Sequence, residues 1–465
     1  MAKSYQLSGL DATFLYLEST ETPMHVGSLH LYTLPPKFKG DFTQTLRKHL
    51  ASRLHLVPIF TRRLQTLPFD IGHPSWQKVA DVDMQYHVKR IDLPKPGTTV
   101  QMESYCAKLH SQLIDRSKPL WEFYVFEGLA SGEIGFYSKI HHATLDGKAG
   151  TVLANAILDV TPVPRKVEPA DPSRTVRPPT PIAKLIGAAL SNSLAQYAKI
   201  VRALPSAVST IGAAAIKNRG AGIGLAPRTI FNQNVSAQRS FVTARVDQAE
   251  AKAVGKALGG SINDVVLYLC STALRAYLTK HGGIPKKSLI AMMPVSLRQE
   301  GNNDLNNQAS MMLVSLGSHH ADPHKRFAAI LESTQKVKAA LSSLKGVMPT
   351  DYPSLLTPWL VSGLAGTYNK SRIANYIPMP ANVVISNVPG PTVPLYLAGA
   401  QMTSFHPLSI IVHGVALNIT VQTYAGHIDF GIICCKQAVP QARSIAKAVE
   451  TSFRDLRKII KIHSG

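Results

Sequence analysis

The chain has 465 residues, of which 45% are hydrophobic and 17% charged, and its formal net charge at pH 7 is +22. This composition is typical of a globular protein and excludes a largely disordered chain, and the length predicts two domains because single cores rarely grow so large. The positive charge favours a polyanionic partner: nucleic acid, an anionic membrane face or a phosphorylated cofactor. Aromatic residues make up only 7% and no nucleic-acid-binding motif is present, so we expect no nucleic-acid partner.

Cysteine usage and the first residues indicate the compartment. Cys106, Cys270, Cys434 and Cys435 show no CxxC spacing, and three of them lie in apolar runs, where a reduced, buried thiol is the ordinary state. The N-terminal residues lack the pattern of a secretory signal. We therefore expect a cytoplasmic protein with free thiols.

Periodicity in the first third of the chain predicts a helix and a hairpin. Residues 41–55 carry leucines at helical spacing, with Asp41 as the N-cap. Residues 120–128 and 134–140 are two apolar runs separated by a Ser-Gly turn, which is typical of a β-hairpin. Residues 151–158 predict a second helix, so residues 141–147 connect a strand to a helix.

That connection, HHATLDG, is the most informative segment of the chain. Neighbouring side chains on a strand point to opposite faces, so His141 and His142 cannot do the same job. An imidazole with an ordinary pKa of about 6.5 can act as a general base near neutral pH. Asp146 can orient the loop, and Gly147 permits close backbone approach. The segment predicts acyl-transfer chemistry, in which one histidine faces a cavity as general base and the other braces the interior.

Other interpretations of these histidines are weaker. A single histidine at a strand end is more often a satisfied structural residue, but the doublet followed by Asp146 and Gly147 favours function. A zinc site is not expected, because adjacent histidines diverge and no Cys or Glu stands at a helical offset. The second doublet, His319-His320, is explained by a following helix that Asp322 caps, with Pro323 at its first position.

The middle of the chain predicts a domain boundary. Residues 161–181 are rich in proline, which is typical of a linker. Residues 182–204 form an amphipathic helical pattern with a basic face. Such a helix either lies on an anionic membrane or covers its own domain, and the second is the commoner case. Residues 161–240 hold eleven Lys and Arg against two Asp and Glu, so much of the positive charge is here.

The last half predicts a second α/β layer. A helix begins near Asn263, with Ser261 or Asn263 as N-cap. Residues 289–294 and 310–316 are expected to be buried strands on either side of a polar loop at 298–307. No charged residue occurs between Arg372 and Asp429, but frequent proline and glycine argue against a membrane-spanning helix there and favour buried strands.

Seven segments together carry a family resemblance, because their order and spacing match across nearly the whole chain. They are residues 7–18 (LSGLDATFLYLE), 23–32 (PMHVGSLHLY), 119–129 (PLWEFYVFEGL), 141–147 (HHATLDG), 263–267 (NDVVL), 293–298 (MPVSLR) and 385–391 (ISNVPGP). The chain resembles the bacterial wax ester synthase/acyl-CoA:diacylglycerol acyltransferase family.

The resemblance implies an α/β fold of two chloramphenicol-acetyltransferase-like domains with a tunnel between them. We expect an N-terminal domain at 1–160 that carries the HHxxxDG motif, a linker with the amphipathic helix at 161–225, and a C-terminal domain at 226–465. Acyl-CoA is the implied co-substrate, with no permanently bound cofactor and no metal. The implied acceptor is a fatty alcohol, diacylglycerol or both.

The resemblance implies that His142 is the general base and His141 its structural support, and it extends the list of site residues. The backbone N–H of Gly147 and the side chain of Asn263 are candidates for stabilising the oxyanion. Arg298 could pair with Asp146 or meet a CoA phosphate, and both roles stay open. The remaining candidates for binding substrate or supporting the site are Pro119, Leu120, Trp121 and Asp264. For Pro119, Leu120 and Trp121, packing beneath the hairpin is the simplest role.

Two alternative functions remain open. One is another HHxxxDG acyltransferase, such as a condensation domain or a short-chain acetyltransferase. The other is a lipid-binding protein that kept the fold and lost activity. For location we expect peripheral association, from the cytoplasmic side, with the inner membrane face or with lipid droplets.

Overall fold

The structure is a computed structural model, which describes residues 7–66, 73–145, 149–169, 225–296, 309–344 and 375–463. Within these ranges the helices are α1 (Gly9–Leu17), α2 (Phe42–Ala51), α3 (Met84–His87), α4 (Thr99–His110), α5 (Ala149–Ile157), α6 (Gln248–Ala257), α7 (Ile262–Lys280), α8 (Pro323–Leu344) and α9 (Ala442–His463). The strands are β1 (His25–Thr33), β2 (Arg62–Gln65), β3 (Ser75–Lys78), β4 (Val88–Asp92), β5 (Trp121–Glu127), β6 (Ile134–His141), β7 (Arg239–Asp247), β8 (Ile290–Ser296), β9 (Ala309–Ser315), β10 (Val383–Val388), β11 (Tyr396–Leu397), β12 (Ala400–Leu408), β13 (Leu417–Tyr424) and β14 (His427–Cys435).

The first sheet has the strand order β11–β12–β1–β6–β5–β4, and only its β4–β5 pair is parallel. β5 and β6 form the expected hairpin, and every residue of β6 is buried. One face of the hairpin packs Phe123 and Phe136 against α2 and α5. The opposite face packs Tyr137 against Met102 and Cys106 of α4. Burial on both faces explains why these strands are continuously apolar rather than alternating.

The second sheet has the order β7–β14–β13–β10–β8–β9, in which β10 runs parallel to β13 and β8. Helix α7 is buried along most of its length against this sheet and α9. The apolar core of this half is continuous with Tyr137 and α4 of the first half. The prediction of an α/β fold with two layers of this kind is confirmed.

Two strands from the second half of the sequence complete the first sheet. β12 pairs with β1 from Gly27 opposite Leu408 to Thr33 opposite Gln401, and β11 extends the sheet beyond β12. We expected residues 226–465 to form the C-terminal domain, but residues 396–408 lie in the sheet of the N-terminal one. Most of the expected linker at 161–225, including the amphipathic segment 182–204, lies outside the described residues.

Helix caps follow the predictions made from sequence. Asp41 accepts a hydrogen bond from the backbone N–H of Gln44, and Asp322 accepts one from that of Lys325. At the start of α7, the Asp264 carboxylate accepts the backbone N–H and the hydroxyl of Ser261, so Ser261 rather than Asn263 is the N-cap. Such caps satisfy the free N–H groups of a first turn.

The four cysteines are free and buried, as expected. Among the helices described, none is by itself long and apolar enough to cross a membrane. Gln248–Ala257 and Ile262–Lys280 meet the length and composition test only as a pair, bent by 95°.

Candidate active site

Strand β6 ends at the histidine doublet. His141 is its last residue, lies opposite His25 of β1 and is completely buried. His142 opens a short 3-10 turn, His142–Thr144, so the chain leaves the sheet between the two histidines. The backbone N–H of His142 donates to the carbonyl oxygen of Met24 at 2.8 Å, which holds the turn against the start of β1. The two side chains therefore have different surroundings.

One hydrogen bond and one contact with a carboxylate fix the orientation of the His141 ring. Its Nδ1 accepts the backbone N–H of Ala143 at 3.1 Å, so we assign the ring proton to Nε2. That Nε2 lies 3.3 Å from Oε1 of Glu18. Both nitrogens are thus engaged inside the protein, and His141 is placed as a support for the turn.

Glu18 is the residue behind His141, and the sequence analysis did not single it out. Its buried carboxylate also contacts Arg116 Nη2 at 2.8 Å and accepts the N–H of Met24 at 3.1 Å. Burial would raise the pKa of Glu18, but the hydrogen bond and charge of His141, with Arg116 and the Met24 amide, outweigh it and lower the pKa to about 2. Glu18 is the last residue of the segment 7–18 that carried part of the family resemblance, which was the one available signal.

His142 faces a different environment. Its ring stacks on Phe14 of α1, with centroids 3.9 Å apart and planes 20° from parallel. The side chain keeps some accessible surface, while its Nδ1 is covered and has no hydrogen-bond partner within the described residues. Burial, followed by the charge of His141, lowers the pKa of His142 to about 4. At neutral pH the ring is therefore uncharged and can accept a proton.

Three of the expected site residues lie outside the described residues, and the structure says nothing of their placement. They are Asp146, Gly147 and Arg298.

The segment Pro119-Leu120-Trp121 lies under the doublet. The carbonyl oxygen of Leu120 accepts the backbone N–H of His141 at 3.0 Å. The indole of Trp121 is fully buried, and its N–H donates to the carbonyl oxygen of Phe60 at 3.2 Å. These contacts make the segment a packed support of the strand that delivers the histidines.

Asn263 and Asp264 stand at the N-terminus of α7. Asp264 is buried. Its carboxylate accepts the backbone N–H of Ser261 and, at 2.7 Å, the hydroxyl of Thr334. Asn263 is partly exposed and accepts a hydrogen bond from the amide of Asn387, in the segment 385–391, at 3.4 Å. The structure thus brings the segments 263–267 and 385–391 into contact. Among the residues described, neither Asn263 nor Asp264 contacts His142.

A second buried polar group lies on the face of β6 that carries His141. Nζ of Lys139 is completely buried and lies 3.2 Å from Oε2 of Glu122, whose other oxygen lies 3.2 Å from Nζ of Lys89. Tyr124 donates to Glu122 at 2.6 Å. Burial lowers the pKa of Lys139, opposed by Glu122. Glu122 thus provides the opposite charge for the buried ammonium of Lys139, and removing either partner would leave an unpaired buried charge.

In the part of the chain that the structure covers, no group of three His, Cys, Asp or Glu side chains is placed to hold a metal ion. The second doublet is at the surface: His319 is exposed, and its ring lies 3.8 Å from that of His320. It precedes the capped start of α8, as expected.

Comparison with known proteins agrees with this architecture. A family model described as the wax ester synthase/diacylglycerol acyltransferase catalytic domain matches residues 7–266, and one described as the WS/DGAT C-terminal domain matches residues 305–457. The O-acyltransferase WSD of Acinetobacter baylyi is 34% identical over 468 residues, which cover 98% of this chain and 97% of the relative.

Two solved structures are also similar. The wax ester synthase/diacylglycerol acyltransferase from Marinobacter aquaeolei VT8 superposes with a TM-score of 0.72 at 26% identity, covering 98% of this chain and 99% of that one. The starter condensation domain of rhizomide synthetase, solved with C8-CoA and Leu-SNAC, gives a TM-score of 0.54 at 12% identity, covering 99% and 95%. At that identity the second likeness concerns the fold alone.

Proposed function

Because the chain belongs to the wax ester synthase/diacylglycerol acyltransferase family, we propose that it moves a long-chain acyl group from acyl-CoA to the hydroxyl of a fatty alcohol, of diacylglycerol, or of both, with His142 as general base. The family is one of O-acyltransferases that depend on acyl-CoA, so acyl-CoA is the co-substrate. Neither a metal nor a bound cofactor is part of this proposal.

The transfer is direct. Nε2 of His142 takes the proton of the acceptor hydroxyl, because Nδ1 is covered by protein. The alcohol oxygen then attacks the thioester carbonyl carbon and forms a tetrahedral intermediate. The C–S bond breaks as the intermediate collapses, and the proton held by His142 passes to the departing CoA thiolate. One imidazole serves both proton transfers, so no covalent acyl-enzyme is required.

Hydrogen-bond donors would stabilise the oxyanion of the intermediate. We propose the backbone N–H of Gly147 and the side-chain amide of Asn263 for this role, the second on the family resemblance. Asp146 would orient the loop that carries Gly147. Arg298 would either pair with Asp146 or contact a CoA phosphate.

One observation carries the proposal. The uncharged, partly exposed imidazole of His142 directly follows the buried imidazole of His141, whose two ring nitrogens are both engaged by protein groups. The pKa of about 4 keeps His142 in the base form throughout the neutral range. Its neighbour cannot take over the task, because Glu18 and the Ala143 amide engage its ring. These contacts support the different roles that we propose for His141 and His142.

The test is release of free CoA thiol from palmitoyl-CoA with and without hexadecanol, followed spectrophotometrically. We expect His142→Ala to lower turnover by about two to four orders of magnitude. His319→Ala, in the exposed second doublet, is the matched control and should keep the wild-type rate. An unchanged rate in His142→Ala contradicts the assignment of the base.

The same assay separates the alternatives. A short-chain acetyltransferase would release CoA from acetyl-CoA and not from palmitoyl-CoA, and a condensation domain would require a carrier-bound substrate. A lipid-binding protein without activity would bind palmitoyl-CoA and release no thiol. Hexadecanol and dioleoylglycerol as competing acceptors would show which hydroxyl is preferred.

We also propose peripheral association with the inner membrane face or with lipid droplets. The net charge of +22 and the amphipathic pattern of residues 182–204 support it. Deleting 182–204 should weaken sedimentation with anionic liposomes. Equal binding would mean that this segment only covers its own domain.

A further inference from the structure

A cavity of about 410 Å³ opens between the two halves of the molecule, where α4 meets the start of β7 and the start of α9. Its lining is apolar at Ala107 and Phe241 and carries four cationic side chains. These are Lys108, Arg239, Lys436 and Arg443. The cavity thus combines a surface for a flat or aliphatic group with a concentration of positive charge.

One of these cations is compensated within the protein. Arg443 forms an ion pair with the buried carboxylate of Glu103, which also accepts the backbone N–H and the hydroxyl of Thr243. Lys108 and Lys436 are exposed and form no ion pair among the described residues. The rim of the cavity therefore keeps an excess of positive charge.

Arg239 is the most unusual member of the group. It is only 7% exposed. Among the described residues it donates to backbone carbonyl oxygens, those of Ser236, Gln238 and Glu21, rather than to a carboxylate. Burial lowers the pKa of Arg239 to about 10, so it is still charged at neutral pH. A charged guanidinium removed from water without a paired anion is costly. An anionic ligand in the cavity would compensate it.

Two hydrogen-bond contacts connect the walls of the cavity with the segments around His141 and His142. Arg239 bonds the carbonyl oxygen of Glu21, in the short segment between Glu18 and Met24 that supports both histidines. On the other wall, the carbonyl oxygen of His110, the last residue of α4, lies 2.6 Å from Nε2 of His25, which pairs with His141. A ligand anchored in the cavity therefore lies against the elements that position the base.

We propose that this cavity binds the phosphate groups of the acyl-CoA nucleotide. Guanidinium and ammonium groups are the preferred partners of phosphate, and the apolar wall suits the rest of the nucleotide. The inference rests on the proposed function, since it assigns a subsite to the acyl donor. Phosphate could also come from a phospholipid headgroup, and the experiment below distinguishes the two sources.

The test compares the wild type with the double variant Lys108→Ala/Lys436→Ala. Both lysines are exposed, so the fold should not depend on them. The matched control is Lys48→Ala, an exposed lysine of α2, which packs on the opposite face of the first sheet. Donors are palmitoyl-CoA and palmitoyl-pantetheine, which lacks the nucleotide phosphates. Binding of adenosine 3′,5′-bisphosphate and of phosphatidylglycerol vesicles is measured separately, by calorimetry and by sedimentation.

In the double variant we expect KM for palmitoyl-CoA to rise roughly tenfold, with kcat unchanged. Kinetics with palmitoyl-pantetheine should stay at wild-type values, and Lys108→Arg/Lys436→Arg should restore the KM. Bisphosphate binding should weaken to a similar extent and become less sensitive to salt. Lys48→Ala should change none of these quantities.

The binding experiment decides the inference even if acyl transfer is not observed. Unchanged bisphosphate affinity in the double variant would overturn the subsite and leave the proposed function intact. Weaker binding to vesicles with unchanged bisphosphate affinity would also overturn it, in favour of a lipid headgroup. Loss of CoA release in every assay, with bisphosphate binding as expected, would count against the proposed function and not against the phosphate site.

Discussion

Oε1 of Glu18 lies 3.3 Å from Nε2 of His141, and both groups are withdrawn from water. The same carboxylate oxygen accepts the N–H of Met24, whose carbonyl oxygen in turn accepts the N–H of His142. One buried carboxylate therefore orients the supporting imidazole directly and the backbone of the proposed base through a single residue. Glu18 is a positioning residue, because it touches neither the base nor the expected substrate.

Replacing Glu18 with glutamine should lower kcat by about tenfold to a hundredfold while KM changes little, because misplacing a base by a fraction of an ångström affects the chemical step more than binding. Steady-state kinetics with palmitoyl-CoA and hexadecanol would measure both constants. Glu332→Gln, on the exposed face of α8, is the control. A rise in KM with an unchanged kcat would contradict the positioning role.

The same carboxylate makes stability depend on pH. The pKa of Glu18 is about 2 in the folded protein and has an ordinary value of 4.5. Because folding lowers the pKa of Glu18, its charged carboxylate stabilises the folded protein at pH values above about 4.5. This contribution disappears as the pH falls from about 4.5 to about 2. Denaturant unfolding across that interval should show a steeper loss of stability for the wild type than for Glu18→Gln. Parallel curves would mean that the carboxylate is not held in its charged form.

Activity should be insensitive to mild acid. Because the pKa of His142 is about 4, the base form persists from pH 8 to pH 5, and kcat/KM should be nearly flat over that range. Phe14→Ala uncovers the ring to water, which relieves the burial that lowers the pKa, so the acidic limb should move toward 6.5. A wild-type profile that already falls by half near pH 6.5 would contradict the covered imidazole.

Local elements could be predicted from the sequence because short-range patterns determine them. The cap at Asp41, the hairpin before His141 and the capped start of α8 all follow from residues within a few positions of one another. The family resemblance added the overall architecture. The charge-free stretch after Arg372 was also assigned correctly to buried strands, since β10, β12 and β13 occupy it.

What the sequence could not show depends on contacts between distant residues. Glu18 and His141 are more than a hundred positions apart, and nothing local to either indicates their contact. The stacking of Phe14 on His142 is equally non-local. Arg239 and Lys108 meet in one cavity only because α4 packs on β7. Binary patterns fix which side chains are buried, but not which buried polar groups become partners.

β12 of the first sheet packs against β14 of the second sheet, and one glycine reports on this contact. A Cβ at Gly431 of β14 would overlap the carbonyl oxygen of Pro407 in β12, so the two strands approach each other as closely as backbone allows. Gly431→Ala should therefore destabilise the protein by about 1–3 kcal/mol or more, because neither backbone can retreat without breaking sheet pairing. Urea unfolding followed by circular dichroism would measure the change.

Gly150 is the matched control for that substitution. It lies in α5, and among the described residues an added Cβ there meets no atom within 4 Å apart from the adjoining backbone of its own helix. Gly150→Ala should leave stability unchanged or raise it by about 0.5–1 kcal/mol, because alanine loses less backbone entropy in a helix. Equal effects of the two substitutions would mean that β12 and β14 are not packed backbone to backbone.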